Sequence, residues 1–310
     1  MSMQPAIRPQ PSSDFGIGSV ACILPQVAES VDAQVDNLQQ RIDALTLELN
    51  FLRRRDEHVS ELMDRMDGEQ RLAARLQRDF LPRTFPRIGN ISFQALYRPA
   101  GYVSGDMYDA MRVDEHHLGF YIADAVGHGM PAALISMFMK NALVTKDVAA
   151  NGYRVLTPPE TLSRLNNSLC EQNLSNSTFA TAIYGTIDTR TNTMSLARGG
   201  HPKPLLIRDG KAVELDADGA LLGIFPDESF ASCTVKLEPG DRVFIYTDGV
   251  EVAFSESESA DDEVWRRTLL DLLDRPLDQA IAAFNDKLEK SGGSLLPRDD
   301  LTILAFEVEP

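Results

Sequence analysis

Three cysteines in 310 residues, Cys22, Cys170 and Cys233, are too few and too scattered for a disulfide framework, and none stands in the CxxC-type spacing of a zinc site. A basic surplus is missing as well. Lys and Arg total 30 against 46 Asp and Glu, a formal charge of -16, and no basic stripe interleaved with aromatics occurs. Nucleic acid and anionic membrane surfaces, both gripped chiefly through Lys and Arg, are therefore not expected partners. No apolar run approaches the roughly 18 residues of a membrane span, and the N-terminus lacks a basic region followed by an apolar core. The expectation is a cytoplasmic chain with no membrane insertion. Part of the acidic excess is the local run SESESADDE at 255–263, which reads as a solvated loop. The rest leaves carboxylates for divalent cations.

Residues 1–26, rich in Pro, Ser and Gln and without periodicity, read as a flexible arm. A helix of coiled-coil and linker character is expected over 27–81. Its seam is Val31, Val35, Leu38, Ile42, Leu45, Leu49 and Leu52, at alternating steps of four and three, which favours a dimerising coil over an amphipathic helix docked on its own domain. Beyond Val59 two registers compete: Met63, Met66, Gln70, Ala73, Gln77 and Phe80, or Leu62, Met66, Glu69, Ala73, Leu76 and Phe80. Pro82 and Pro86 end the helix.

From residue 91 short β-branched and aromatic runs alternate with turn signals such as TRTN, DG and EPGD. Helices are expected over Met130–Ala149, from TPPE at 157–160, where Thr157, Pro158 and Glu160 form a capping box, and over 262–273 and 276–290. Hairpin-connected strands with helices grouped between them predict an α+β sandwich in 82–310.

Acidic residues punctuate the strands. Asp106 follows a glycine, Asp124 ends the apolar run YIADA, Asp248 ends RVFIYTD, and Asp299 and Asp300 precede LTILAFEV. A carboxylate at the end of a buried strand must be paired, hydrogen-bonded or metal-bound. Hard oxygen ligands suit magnesium or manganese. Singly, each has a plainer reading: DG is an ordinary turn, Asp299 or Asp300 caps a loop, and His128 and His201, each beside glycine, are hydrogen-bonded loop residues. The combination favours a metal cluster.

In order and spacing, SGDMYDA, ADAVGHGMPAAL, TFATAIYGTID, ARGGHPKPLL, LLGIFPD, LEPGDRVFIYTDGV and DDLTILAFEV resemble the motifs of the SpoIIE/RsbU branch of bacterial PPM (protein phosphatase 2C-like) serine/threonine phosphatases. RLAARLQRDFLP resembles the helix that enters this domain. The resemblance implies a four-layer αββα sandwich with two divalent cations, Mn2+ or Mg2+, at one edge. Asp124 would bridge them, with Asp106 and the Ala125 carbonyl on one side and Asp248 and Asp299 on the other; Asp299 stands three residues before Thr302, and Asp300 is the lesser candidate. It further implies hydrolysis of phosphoserine or phosphothreonine on a protein such as a STAS-domain anti-sigma-factor antagonist. An upstream activating protein would act through the coil or the switch helix near residues 70–80, in a homodimer. SGD stands where the family usually has two glycines before the aspartate, and Val126 where a serine is common. A non-catalytic module that sequesters its partner is the alternative.

Overall fold

A computed structural model of the chain describes residues 20–174, 178–254, 263–291 and 298–309. Residues 1–19 of the expected arm and most of the acidic run 255–263 lie outside the described residues. The chain divides into two compact units, one ending at Asp67 and one beginning at Gly68.

Helix α1 spans Val20–Phe80, starting before residue 27, where the arm was expected to end. In the first unit, every described side chain from Asp32 to Met66 is exposed. Leu38, Ile42 and Leu45 remain at least half exposed, so the heptad seam is an unpartnered apolar stripe in the single chain. In the second unit the last turns of α1 settle the competing registers. Gln70, Ala73, Gln77 and Phe80 lie on the covered face, whereas Leu72 and Leu76 stay exposed. No described helix is long and apolar enough to cross a membrane.

The elements of the second unit follow as β1 (Ile91–Arg98), β2 (Asp106–Arg112), β3 (His117–Ala125), α2 (Met130–Ala142), β4 (Lys146–Ala149), β5 (Gly152–Val155) and α3 (Pro158–Glu171). Then come β6 (Ala180–Asp188), β7 (Thr193–Gly199), β8 (Leu205–Arg208), β9 (Lys211–Glu214), β10 (Ser232–Lys236) and β11 (Arg242–Tyr246). Helices α4 (Gly249–Phe254), α5 (Glu263–Leu270) and α6 (Leu277–Ser291) precede β12 (Leu301–Val308).

Two five-stranded sheets result, ordered β1-β12-β11-β8-β9 and β10-β7-β6-β3-β2, with β4-β5 as a separate hairpin. Alternation along the strands explains the layers. On β12, Leu304, Phe306 and Val308 enter the core between the sheets, while Leu301, Ile303 and Ala305 face a second core built with α4, α5 and α6. On β11, Val243 and Ile245 point inward and Phe244 and Tyr246 outward. Helices α2 and α3 supply Met139, Leu162, Leu165 and Leu169 to the other side, completing four αββα layers.

The capping box of α3 is present, with Glu160 N–H donating to Thr157 Oγ1 and the Glu160 carboxylate accepting from Thr157 N–H. The expected helix over Met130–Ala149 is corrected: α2 ends at Ala142, and residues 146–149 pair with 152–155. Val144, Thr145 and Val148 are β-branched, which favours strand once the amphipathic face of α2 is exhausted. Strand β2 and the short helix α4 carried too weak a pattern to be seen in the sequence.

Candidate metal centre

In the β2–β3 register Asp106 lies directly opposite Asp124, and Asp124 is in turn opposite Thr181 of β6. From the other sheet, Asp248 follows the end of β11 and Asp299 precedes β12, and these strands are hydrogen-bonded neighbours. The two sheets are tied at this edge. Thr247 and Thr302, both from the β11–β12 side, donate their hydroxyls to Asp106 Oδ2 at 2.8 and 2.6 Å. Asp106 is buried, and its Oδ1 has no hydrogen-bond partner. An acceptor stranded in this way is costly unless something positive approaches it.

Exposure rises outward from there, with Asp106 buried, Asp124 half-buried, and Asp248 and Asp299 exposed. Burial, followed by the carboxylates of Asp248, Asp299 and Asp300, pushes Asp124 up to about 7. Asp106 is raised by burial and then by Asp124, against the pull of the Thr302 and Thr247 hydroxyls. Burial and Asp299 raise Asp248. Burial is thus the first cause of each shift and the neighbouring carboxylates the second. Among the described residues, no three His, Cys, Asp or Glu side chains are yet gathered around one point as a metal would require. The all-oxygen donor set, the mutual repulsion and the stranded Asp106 Oδ1 nevertheless fit hard divalent cations.

The tandem acids divide their tasks. Both oxygens of Asp300 are taken, Oδ1 by Ala100 N–H and Oδ2 by Gly105 N–H, each at 2.7 Å, and the side chain is buried. Asp300 is thus the brace of the 100–105 loop, and Asp299 is the acid left facing Asp124 and Asp248. Gly105 is needed for this approach, because a Cβ there would sit 2.9 Å from the Ala125 carbonyl oxygen. After Ala125 the chain turns through Gly127 (φ 91) and Gly129 (φ 73) into α2, which allows the strand to stop beside the carboxylates.

Of the two histidines, His128 is exposed and shares a cavity of about 530 Å³ with Asp299 and Arg298. His201 is buried, its Nδ1 within 2.7 Å of Thr181 Oγ1. Burial holds it neutral, with its pKa down to about 3 against a smaller upward pull from a Tyr246 backbone group.

Four contributors escaped the sequence reading: Thr247, Thr302, the bracing role of Asp300, and Gln77. Gln77 Nε2 donates to the Ser104 carbonyl at 2.6 Å and its Oε1 accepts from Ser104 N–H at 2.9 Å, while Ser104 Oγ accepts from Asp106 N–H. The end of α1 is therefore two hydrogen bonds from a candidate ligand. The Lys140 ammonium, ion-paired to Asp109 at 3.0 Å, also holds the Phe80 carbonyl. The threonines beside TD and DDLT were the available signal. Gln77 gave none, since a polar residue on an apolar seam reads as a defect.

Residues 114–309, more than half of the chain, match Stage II sporulation protein E (SpoIIE), and the chain belongs to that family. The phosphoserine phosphatase RsbP of Bacillus subtilis (strain 168) is 30% identical over 185 residues, covering 59% of this chain and 45% of RsbP. The phosphoserine phosphatase RsbU of the same organism is 28% identical over 198 residues, covering 63% and 57%. The chain thus spans about half the length of these curated relatives. Among solved structures, the SiaA-PP2C domain of Pseudomonas aeruginosa superposes with a TM-score of 0.67 at 23% identity, over 79% of this chain and 98% of that one. RsbX, solved in complex with magnesium, gives 0.52 at 17% identity over 73% and 99%. At such identities the structural likeness establishes the PP2C fold.

Proposed function

We propose that the chain is a metal-dependent protein serine/threonine phosphatase acting on a phosphorylated signalling protein in the cytoplasm. The observation that carries this reading is that the topology brings Asp106, Asp124, Asp248 and Asp299 to one edge of the sandwich, where Asp106 Oδ1 is buried and unpartnered. Asp124 would be shared by two cations, with Asp106 and the Ala125 carbonyl holding one and Asp248 and Asp299 the other. Mn2+ or Mg2+ held by these residues would activate water for attack and offset negative charge on the phosphoryl group.

The chain's own residues prepare that chemistry. Thr247 and Thr302 fix the rotamer of Asp106 and occupy one oxygen, leaving the other to bind. Asp300 holds the 100–105 loop so that Gly105 can approach Ala125. The edge opens to solvent at Asp248 and Asp299, which admits a phosphorylated side chain carried on a protein surface. The family membership and the named activities of RsbP and RsbU support a phosphoserine or phosphothreonine substrate, and a STAS-type anti-sigma-factor antagonist is the proposed carrier.

Regulation is proposed to enter through α1. Its exposed seam would pair two copies as a coiled coil, and an upstream protein acting on the coil or the switch helix would bear on Gln77, whose amide grips Ser104. The test is phosphate release from a phosphoserine protein in Mn2+, Mg2+ or EDTA. Release that needs metal and falls by about a thousandfold or more in Asp124→Asn, with unchanged circular dichroism, is expected. Wild-type turnover by the variant would refute the assignment.

A further inference from the structure

Helix α3 and the loop after Leu222 enclose a groove of about 560 Å³ that contains none of the candidate metal ligands. Leu174, Thr178, Ile224 and Pro226 form part of its wall. Its charged lining is Glu171 and Asp227, with no Lys, Arg or His beside them. At its rim Phe225 is 61% exposed, and Ile224 and Leu174 are nearly half exposed. Three large apolar side chains on one open rim mark a surface that meets a partner more readily than water.

The loop holds these side chains outward because α3 grips its backbone. The buried Asn166 accepts from Gly223 N–H and donates to the Phe225 carbonyl, each at 2.8 Å. Asn167 Oδ1 accepts from Asp227 N–H at 2.8 Å, and Ser163 donates to the Glu228 carbonyl at 2.9 Å. Asp227 is kept by these bonds at φ 58, in the left-handed region that residues with a Cβ seldom adopt. With the backbone of 223–228 fixed in this way, little further order is lost when a partner covers Ile224 and Phe225.

The groove adjoins the carboxylate edge. Ala180 lies opposite Ala125 in the β3–β6 register and exchanges both backbone hydrogen bonds with Leu222, while Val126 N–H donates to the Phe179 carbonyl. Thr178 and Ile224 are each two residues from that pairing, a span of at most about 7 Å, and Phe225 is three residues from it, about 10 Å. An interface of ordinary size covers about 800 Å² per partner, a disc of about 16 Å radius, so a protein that brings a phosphorylated side chain to Asp124 also covers this rim. We propose that the groove docks the phosphoprotein substrate, through an apolar side chain seated between Leu174 and Ile224 and a Lys or Arg side chain meeting Glu171 or Asp227. The apolar rim calls for the first and the wholly acidic charged lining for the second. The inference rests on the phosphatase reading for the identity of its partner, and adds what that partner carries about 10 to 15 Å from its phosphorylated residue.

Two phosphoserine peptides of about 15 residues test this, one with Leu and Lys and the other with Ala and Glu at the third to fifth positions on either side of the phosphoserine, the reach of about 10 to 15 Å in extended chain. The full-length parent is compared with Ile224→Ala combined with Phe225→Ala, and with Glu171→Lys, all exposed positions whose folding is checked by thermal unfolding. The parent should favour the Leu–Lys peptide about tenfold or more in kcat/KM, with the difference carried by KM. The double variant should erase the preference, and Glu171→Lys should lower it about threefold. A parent without the preference, or folded variants that keep it, would overturn the docking site. So would a lower mass by light scattering in the double variant with the preference intact, since the rim would then belong to a second copy of the chain. Failure of the phosphatase reading has its own signature, no phosphate released from either peptide or from an aryl phosphate in any metal. In that case calorimetric titration with the unphosphorylated peptides in EDTA decides: tighter binding of the Leu–Lys peptide that the double variant loses upholds the groove, and equal binding of the two overturns it.

Discussion

The exposed stretch of α1 and the carboxylate edge of the sandwich are specified in opposite ways. From Asp32 to Met66 the pattern is regular and its structure is a single helix with every side chain outside, so the sequence determines the element and leaves its partner open. At the carboxylate edge the residues are scattered from Ser104 to Thr302, no periodicity joins them, and the topology brings them together, with both oxygens of Asp300 and one of Asp106 bonded and Asp106 Oδ1 left over. Periodicity informs about surfaces that repeat; a site is made of residues that do not.

The sharpest way to break that contrast is to remove the partner from the helix. Leu38→Lys with Leu45→Lys places two charges on the proposed seam, a loss of about 4 kcal/mol or more from burial alone. Light scattering should then show monomers at concentrations where the parent is a dimer, with metal-dependent turnover of a small aryl phosphate retained. A persistent dimer would assign association to another surface.

A smaller effect separates the adjacent acids. Asp300→Ala removes two charge-assisted hydrogen bonds from a buried carboxylate and should cost about 3 kcal/mol, read as a lower unfolding temperature even in EDTA. Asp299→Ala should leave that temperature unchanged without metal and abolish its increase with metal. Equal behaviour of the two variants would dissolve the division of labour.

The smallest effect is set by pH. The raised pKa of Asp124 means that the folded metal-free chain holds a proton there more tightly than the unfolded chain does. This contribution is fully present below the ordinary carboxylate range and is lost as pH rises toward about 7. In EDTA the unfolding temperature should therefore fall by a few degrees between pH 5 and 8 on account of this group, and Asp124→Asn should flatten the slope. An unchanged slope in the variant would place the crowding elsewhere.

Much of the fold was legible because its signals are local: the heptad run that became part of helix α1, the capping box at Thr157, the prolines after Phe80, and the apolar runs that became β3, β6, β11 and β12. Asp124 was legible for a similar reason, as a charge ending a buried strand. What stayed hidden depends on contacts between distant segments. Nothing near Thr302 in the chain says that its hydroxyl meets Asp106, and nothing near Gln77 says that its amide meets Ser104. The end of α2 was misjudged because helical propensity continues past Ala142 while β4 is defined only by its pairing with β5.

The tandem Asp299–Asp300 has a consequence for how variation at this edge should be interpreted. Asp300 is consumed by the scaffold and Asp299 before it is presented to the opening, so a slip of a single position exchanges a brace for a candidate ligand without altering composition or charge. Insertions or deletions near this pair would therefore be far less tolerated than substitutions of similar size. A lineage that retained two acids here could still have lost its chemistry by a change in length alone.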